Sequence, residues 1–178
     1  EAALDTVRKE HPDWNLEILN LMDLDLMYWK TETLKERDEL LAKKEYDAPV
    51  FKYGNQFREA DGVIVAAPFW DLSIPAVLKV YIENISAEGI TFGCNESGLY
   101  GLCKAKWLLF LTTRGGIWAD SDMEQGSTYM EALCKFFEID EYACVYADGI
   151  DVQELDGEEI LREAIEETKG ICTRLSCE

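Results

Sequence analysis

The chain has 178 residues, and 48% of them are hydrophobic, which is enough to bury a core and argues against a disordered protein. Lys and Arg total 17 while Asp and Glu total 36, so the formal charge is −19. Because such an acidic surface repels phosphate backbones and anionic headgroups, we predict no nucleic-acid and no membrane partner.

Cysteine and histidine lack the spacing of a metal site. The six cysteines include no C-x-x-C pair, and the one histidine is His11. Zinc sites usually recruit these residues at short spacing, so we predict no metal. The N-terminal residues lack the basic and apolar regions of a secretion signal, and we therefore expect reduced thiols in a cytoplasmic protein.

The first third of the chain is predicted to be mostly helical. A helix ends before the His-Pro-Asp of residues 11–13, and residues 16–21 are predicted to form a short strand. Helices are then predicted over the highly charged residues 33–44 and over residues 48–59.

Three apolar runs predict buried strands. Residues 62–67 are almost continuously apolar, which is typical of a strand covered on both faces in a parallel sheet. Residues 107–112 and 142–147 are similar runs. Pro75 suits the first turn of a helix that continues to Ile85.

The remaining helices complete an alternating pattern. One is predicted over residues 129–137, and Asp156 with Glu159 forms a D-x-x-E pattern that opens the last helix. Strands and helices that alternate in this way predict one three-layer, doubly wound α/β domain over residues 1–178. Ligands bind such sheets at the carboxyl ends of the strands, which here are followed by residues 68–73, by residues 114–118 and by the turn after Ala147.

Both of these loops have a functional and a structural interpretation. Phe69 and Trp70 could flank a planar ring, or they could cover the end of the core. Gly115 and Gly116 could let main-chain amides approach a flat ligand, or they could belong to an ordinary turn. The pattern by itself favours neither interpretation.

A longer pattern resembles a known family. Residues 60–85 read ADGVIVAAPFWDLSIPAVLKVYIENI and look like the FMN-dependent NADH-azoreductases, which are flavodoxin-like NAD(P)H:quinone oxidoreductases. The G-I-T-F of residues 89–92 and the T-T-R-G-G-I of residues 112–117 follow in the same order and at similar spacing. The resemblance is specific over residues 60–118 and loose outside them.

The resemblance implies a flavodoxin-like fold, a homodimer and noncovalently bound FMN. It also implies ping-pong chemistry, in which NADH or NADPH reduces the flavin and the flavin reduces a quinone, azo or nitroaromatic compound. No catalytic side chain is then needed, because the cofactor carries the hydride. By motif match, FMN would contact Pro68, Phe69, Trp70, Asp71, Thr113, Arg114, Gly115 and Gly116. The aromatic acceptor would lie beside Phe92. Trp118 could stack on the same acceptor, or it could only pack within the protein.

The chain departs from the family pattern at three places. Asp71 stands where the family usually has Asn, and Trp118 stands where many members have His. Relatives also begin with a strand and a Ser-rich loop for the FMN phosphate, whereas this chain starts inside the following helix. We therefore expect this flavodoxin-like domain to be N-terminally incomplete.

A second class of function remains open from sequence. A noncatalytic electron carrier, or a flavin-free interaction module, can have the same fold, and an acidic surface suits a carrier that docks on basic partners. Uptake of hydride from NADH is the property that separates the enzyme from the carrier.

Overall fold

Five strands form two sheets in the computed structural model, which describes residues 1–176. They are β1 (Val63–Ala66), β2 (Phe92–Asn95), β3 (Gly98–Gly101), β4 (Trp107–Arg114) and β5 (Glu141–Asp148). The first, fourth and fifth are parallel, in the order β1-β4-β5, and β2 with β3 is an antiparallel hairpin. The three parallel strands therefore end on the same side of the sheet, which we name the carboxyl edge.

Six α-helices accompany the strands, and two short 3₁₀ helices lie at Leu21–Asp23 and Pro49–Phe51. The α-helices are α1 (Ala2–Glu10), α2 (Thr31–Ala42), α3 (Lys52–Glu59), α4 (Ala76–Ile85), α5 (Gly126–Phe137) and α6 (Gly157–Arg174).

The parallel sheet is packed on both faces. On one face, side chains of α4 and α5 such as Leu78 and Met130 form a buried cluster with Leu108 and Phe110 of β4. On the other face, α1 and α6 pack against the sheet around Leu109. The prediction of a three-layer α/β domain is thereby confirmed.

Strand alternation in β4 decides which way its last residues point. Leu108 and Phe110 face α4 and α5, whereas Leu109 faces α1 and α6. Since successive side chains of a strand point to opposite faces, Arg114 lies on the face of Leu108, below the α5 layer. Thr113 points to the opposite face and is exposed.

The predicted elements of the sheet are confirmed, and so is the last helix. Residues 62–67 contain β1, while residues 107–112 and 142–147 lie within the longer strands β4 and β5. Asp156 caps α6 by accepting a hydrogen bond of 3.0 Å from the amide of Glu159.

The predicted strand over residues 16–21 is wrong. Residues 15–20 have no regular structure, and the 3₁₀ helix begins at Leu21. A strand needs a neighbour to complete its hydrogen bonds, and among the described residues β1 pairs with β4 alone. The expectation that the domain is N-terminally incomplete stays a prediction.

The described cysteines are Cys94, Cys103, Cys134, Cys144 and Cys172, and all five are free. Cys177 lies outside the described residues. Within residues 1–176 no three His, Cys, Asp or Glu side chains are arranged to hold a metal ion. None of the helices in that range is long and apolar enough to cross a membrane.

Candidate functional site at the carboxyl edge

Main-chain hydrogen bonds join the three loops that follow β1, β4 and β5. The amide of Phe69 donates to the carbonyl of Thr113 at 3.0 Å, which ties the first loop to the end of β4. The amide of Gln125 donates to the carbonyl of Leu72 at 2.9 Å. The amide of Gly149 donates to the carbonyl of Arg114 at 3.0 Å. The loops therefore form one connected surface.

The loop after β1 makes a tight turn with strained backbone. Trp70 and Ser73 exchange two main-chain hydrogen bonds of 2.9 Å each. The two residues between them have left-handed backbone, with φ of 48° at Asp71 and 66° at Leu72. This is a type I′ turn, which normally takes Asn and Gly at these positions. Strain of this kind is concentrated at functional sites in proteins.

The loop after β4 presents main-chain donors. The carbonyls of Arg114, Gly115 and Gly116 accept hydrogen bonds from amides of residues 149–151. In the part of the chain that the structure describes, the amides of Gly115, Gly116 and Ile117 donate to no protein acceptor. A Cβ on Gly115 would lie 2.5 Å from Oδ2 of Asp151, so a side chain there would require the Asp151 carboxylate to shift.

The loop after β1 adds two more donors. The amides of Asp71 and Leu72 likewise have no acceptor among the described residues. Because β1 and β4 are neighbours in the sheet, the two sets of free amides lie at adjacent strand ends. A ligand with acceptor atoms along a planar edge matches such a donor set chemically.

Aromatic side chains lie beside these donors. The ring of Phe69 is 5.6 Å from the ring of Trp118, so the loops after β1 and β4 touch through their side chains. Trp70 is 61% exposed, whereas Pro68 is half-buried. An exposed indole at this edge is available to stack on a planar molecule.

The guanidinium of Arg114 lies in the interior, with 1% of the residue exposed. Its Nη2 is 3.3 Å from Oε1 of Glu124, and its Nη1 is 3.6 Å from Oδ1 of Asp148. Two rings lie near its Cζ, with centroids at 4.4 Å for Tyr146 and 5.6 Å for Phe69. We name Arg114, Glu124 and Asp148 the Arg114 cluster.

Each carboxylate of the Arg114 cluster also binds main chain. Glu124 accepts hydrogen bonds of 2.9 Å from the amides of Gly126 and Ser127, at the start of α5. Asp148 accepts from the amides of Trp118 at 2.8 Å and Ala119 at 3.0 Å. The cluster therefore reaches both the helix start and the loop after β4.

Hydrogen bonding controls the charge of Glu124. Burial raises the pKa of its carboxyl group, but the hydroxyl and amide of Ser127, the charge of Arg114 and the amide of Gly126 outweigh burial. The net result is a pKa below the ordinary value of 4.5, so Glu124 is ionised near neutral pH.

Of the ten residues predicted for cofactor and substrate, seven lie on the loops of the carboxyl edge, Thr113 and Arg114 end β4 at that edge, and Phe92 lies elsewhere. Its ring packs 4.7 Å from Phe136, near the C-terminal end of α5. Gly126 opens that helix, beside Phe69 and Ser73, and ten residues of helix span about 15 Å. Phe92 lies far from the carboxyl edge because α4 runs from that edge to the opposite end of the sheet, and Phe92 follows α4 in the chain.

The sequence assigned no role to Glu124, and it placed Leu72 and Asp148 only by their segments, residues 68–73 and the turn after Ala147. Glu124 stands just before a helix, where carboxylates are favoured, so a capping search could have found it. Asp148 ends a buried strand at the carboxyl edge, which is a position where polar residues carry function. Nothing in the sequence marks Leu72, since leucine rarely adopts positive φ.

Comparison with known proteins places the chain in a family. Residues 1–171 match a protein family that is described as having a flavodoxin-like fold. An FMN-dependent NADH:quinone oxidoreductase of Clostridium beijerinckii is 34% identical over 95% of this chain and 85% of its own length. One of the same name from Coprothermobacter proteolyticus is 33% identical over 96% of this chain and 87% of its own length.

A solved structure agrees with the sequence relatives. The crystal structure of an azoreductase from Bacillus anthracis matches with a TM-score of 0.88 and 27% identity, covering 98% of this chain and 88% of that one. The chain belongs to the flavodoxin-like oxidoreductase family that contains the FMN-dependent NADH:quinone oxidoreductases and the azoreductases. The resemblance and fold class predicted from sequence are confirmed.

Proposed function

We propose that this protein is an FMN-dependent oxidoreductase that uses NADH to reduce quinones, and azo or nitroaromatic compounds by the same route. The observation that supports this most strongly is the pair of free-amide sets at adjacent strand ends, at Asp71 and Leu72 and at residues 115–117. The names of the relatives agree with the cofactor and with the donor.

The residues present fit a flavin ring. The pyrimidine edge of isoalloxazine offers carbonyl oxygens and ring nitrogens, which accept hydrogen bonds from main-chain amides. Gly115 and Gly116 let such a ring approach the backbone, and Trp70 offers an exposed aromatic face. We assign the ring contacts to Pro68, Phe69, Trp70, Asp71, Thr113, Arg114, Gly115 and Gly116.

Bound FMN would accept hydride from NADH and pass it to the second substrate. The chain's part is to orient the ring and to stabilise charge. Amides of residues 115–117 would favour negative charge at the pyrimidine edge, since preorganised donors act strongly where water is excluded. The negative carboxylate of Asp71 would repel that charge, and exposure of Asp71 to solvent weakens the repulsion.

Trp118 is the residue that we assign to the aromatic acceptor. Its half-buried indole packs on Phe69 and leaves part of its surface free. Phe92 is not assigned to this site within one chain, because its ring packs on Phe136. NADH is proposed over NADPH because the curated relatives are named for NADH.

We also propose a cytoplasmic homodimer. Large apolar side chains are exposed on the loops after β1 and β4, and they are Trp70, Leu72, Ile117 and Met123. Apolar surface gathered around a site is typical of a protein interface. Sedimentation equilibrium tests the proposal, with a dimer as the expected result and a monomer at every concentration as the contrary one.

Anaerobic visible spectroscopy tests the function. The purified full-length gene product is mixed with FMN, and we expect retained flavin absorption that NADH bleaches and 1,4-benzoquinone restores. Gly115→Ala is expected to weaken FMN binding, because a Cβ at this position would hold a flat ring away from the main-chain amides. Gly170→Ala is the matched control, since its Cβ meets nothing closer than 3.7 Å.

Two results would contradict the enzyme. Flavin that binds but is not bleached by NADH would favour the electron carrier. Failure to bind FMN at any concentration would favour the flavin-free module, and the ring contacts assigned above would then be wrong.

A further inference from the structure

We propose that Arg114 is a positioning residue that acts through its side chain, holding the walls of the carboxyl-edge site in place by pairing with Glu124 and Asp148. The inference rests on the proposed function for its effect on the cofactor, but its structural part stands on the Arg114 cluster. The residue thus has two separate roles. Its main chain belongs to the loop after β4, and its guanidinium lies beneath that loop.

The guanidinium of Arg114 lies in the protein interior, where a positive charge without negative partners is strongly unfavourable. It is 1% exposed, and its Nε and Nη1 make no hydrogen bond to any described residue. Two carboxylates and the rings of Tyr146 and Phe69 surround it. The two carboxylates and the aromatic rings therefore hold the guanidinium in place. Without Arg114, each carboxylate would lack a positive partner in the interior.

Glu124 connects Arg114 to the first wall. The carboxylate caps the start of α5 through the amides of Gly126 and Ser127. The neighbouring amide of Gln125 donates to the carbonyl of Leu72, inside the strained turn. A displacement of Glu124 would therefore reach the turn that carries Trp70.

Asp148 connects Arg114 to the second wall. Its Oδ1 faces Arg114, while its Oδ2 accepts from the amides of Trp118 and Ala119. The amide of Gly149, the next residue, donates to the carbonyls of Arg114 and Gly116. The carboxylate of Asp148 therefore fixes Trp118 and Ala119, which directly follow the free amides of residues 115–117.

Arginine suits this position better than lysine. Its planar cation can meet two carboxylates on different nitrogens while its faces lie against aromatic rings. A lysine ammonium is a single point charge and could keep one pair at most. We therefore expect Arg114→Lys to retain part of the effect and Arg114→Met to lose it.

Hydrogen–deuterium exchange of the flavin-free protein tests the structural part. In Arg114→Met we expect faster exchange in residues 115–125, with Trp118 and Ala119 losing most protection, while α3 exchanges as in the wild type. Arg114→Lys should lie between. Arg162→Met is the control, because Arg162 is an exposed arginine paired with Glu159 on α6.

Flavin titration tests the functional part. We expect Arg114→Met to weaken FMN binding about 10- to 100-fold, because small displacements in a preorganised site are costly. If Arg114→Met does not fold, Asp148→Asn keeps an acceptor for both amides while removing the charge that faces Arg114. It should then show the same local pattern in milder form.

Two outcomes would overturn the proposal. One is unchanged exchange in residues 115–125 in folded Arg114→Met or Asp148→Asn. The other is faster exchange that is equal in α3 and in residues 115–125, which a general loss of stability would give. A wild type that binds no FMN would refute the proposed function instead, and the exchange result would still decide the role of Arg114.

Discussion

The ring of Phe69 lies 5.6 Å from the ring of Trp118, although the two residues follow different strands and are far apart in sequence. Phe69 also lies above the guanidinium of Arg114, at 5.6 Å from Cζ. One aromatic side chain is therefore packed between the buried cation and the exposed loop. Part of the aromatic pattern of residues 67–75 is thus structural, while Trp70 remains free for a ligand.

The contact of Phe69 with Trp118 has a measurable contribution. We expect Trp118→Ala to lower the free energy of unfolding by about 1 kcal/mol, the usual size of an aromatic pair. Urea unfolding followed by circular dichroism measures the change. Trp118→Phe is the control and should keep most of the contact. Equal stability of Trp118→Ala and the wild type would show that the contact contributes nothing to the free energy of unfolding.

The turn between Trp70 and Ser73 stores backbone strain that glycine would relieve. Leu72 is a non-glycine residue with φ of 66°, and left-handed backbone costs such residues roughly 1–2 kcal/mol. Because glycine also loses entropy on folding, we expect Leu72→Gly to raise the free energy of unfolding by about 0.5–1 kcal/mol.

Chemical denaturation of Leu72→Gly and Leu72→Ala checks the turn. Alanine keeps the strain and should bring no gain, so the two variants separate backbone from side-chain effects. A glycine variant less stable than the alanine variant would contradict the expectation.

Protonation of Glu124 makes the stability of the folded protein depend on pH in the acid range. Its pKa is lowered in the folded protein below the ordinary 4.5, so its contribution is complete above about that pH. The contribution is lost as the pH falls through the lowered folded-state pKa. Arg114 faces it in the interior, and Ser127 donates to it.

Urea unfolding between about pH 6 and about pH 3 measures this dependence. We expect Glu124→Gln to reduce stability most near pH 6 and to flatten the acid slope. Glu131→Gln is the matched control, because Glu131 lies on α5, the helix whose start Glu124 caps, in an exposed pair with Lys135. A parallel slope in Glu124→Gln and the wild type would refute the linkage.

Thiol reactivity should follow burial. Burial raises the pKa of Cys103 to about 12 and the pKa of Cys134 and Cys144 to about 11, so these thiols stay protonated at neutral pH. Cys94 is exposed on the hairpin. We expect iodoacetamide to label Cys94 in the native protein well before the other three.

Peptide mass spectrometry after a timed reaction measures the labelling. A sample in urea is the control, and all five described cysteines should then react. Native labelling of Cys134 at the rate of Cys94 would show that the interior opens far more readily than its packing indicates.

Apolar runs were enough to predict the parallel sheet. Residues 62–67, 107–112 and 142–147 are apolar because both faces of their strands are covered, and burial of that kind is visible directly in composition. The resemblance at residues 60–118 likewise selected the loops of the candidate site. The proposed ring contacts came from those loops, and flavin binding is the measurement that tests them.

Other features depended on neighbours that no local pattern contains. Residues 16–21 have the composition of a strand, but a strand forms only where a partner completes its hydrogen bonds. Phe92 lies in a motif of the family, yet the course of α4 takes it to the far end of α5. Arg114 is the last residue of β4, and strand alternation is what sends its side chain inward.

The sequence by itself determined the layers, the three parallel strands and the edge that we propose for a ligand, because burial and chain direction are local or nearly local properties. The tertiary structure alone decided which amides stay free, where Phe92 lies, and that Arg114 pairs with Glu124 and Asp148. Those relationships join residues from separate strands and loops, and they exist only once the sheet brings the loops together.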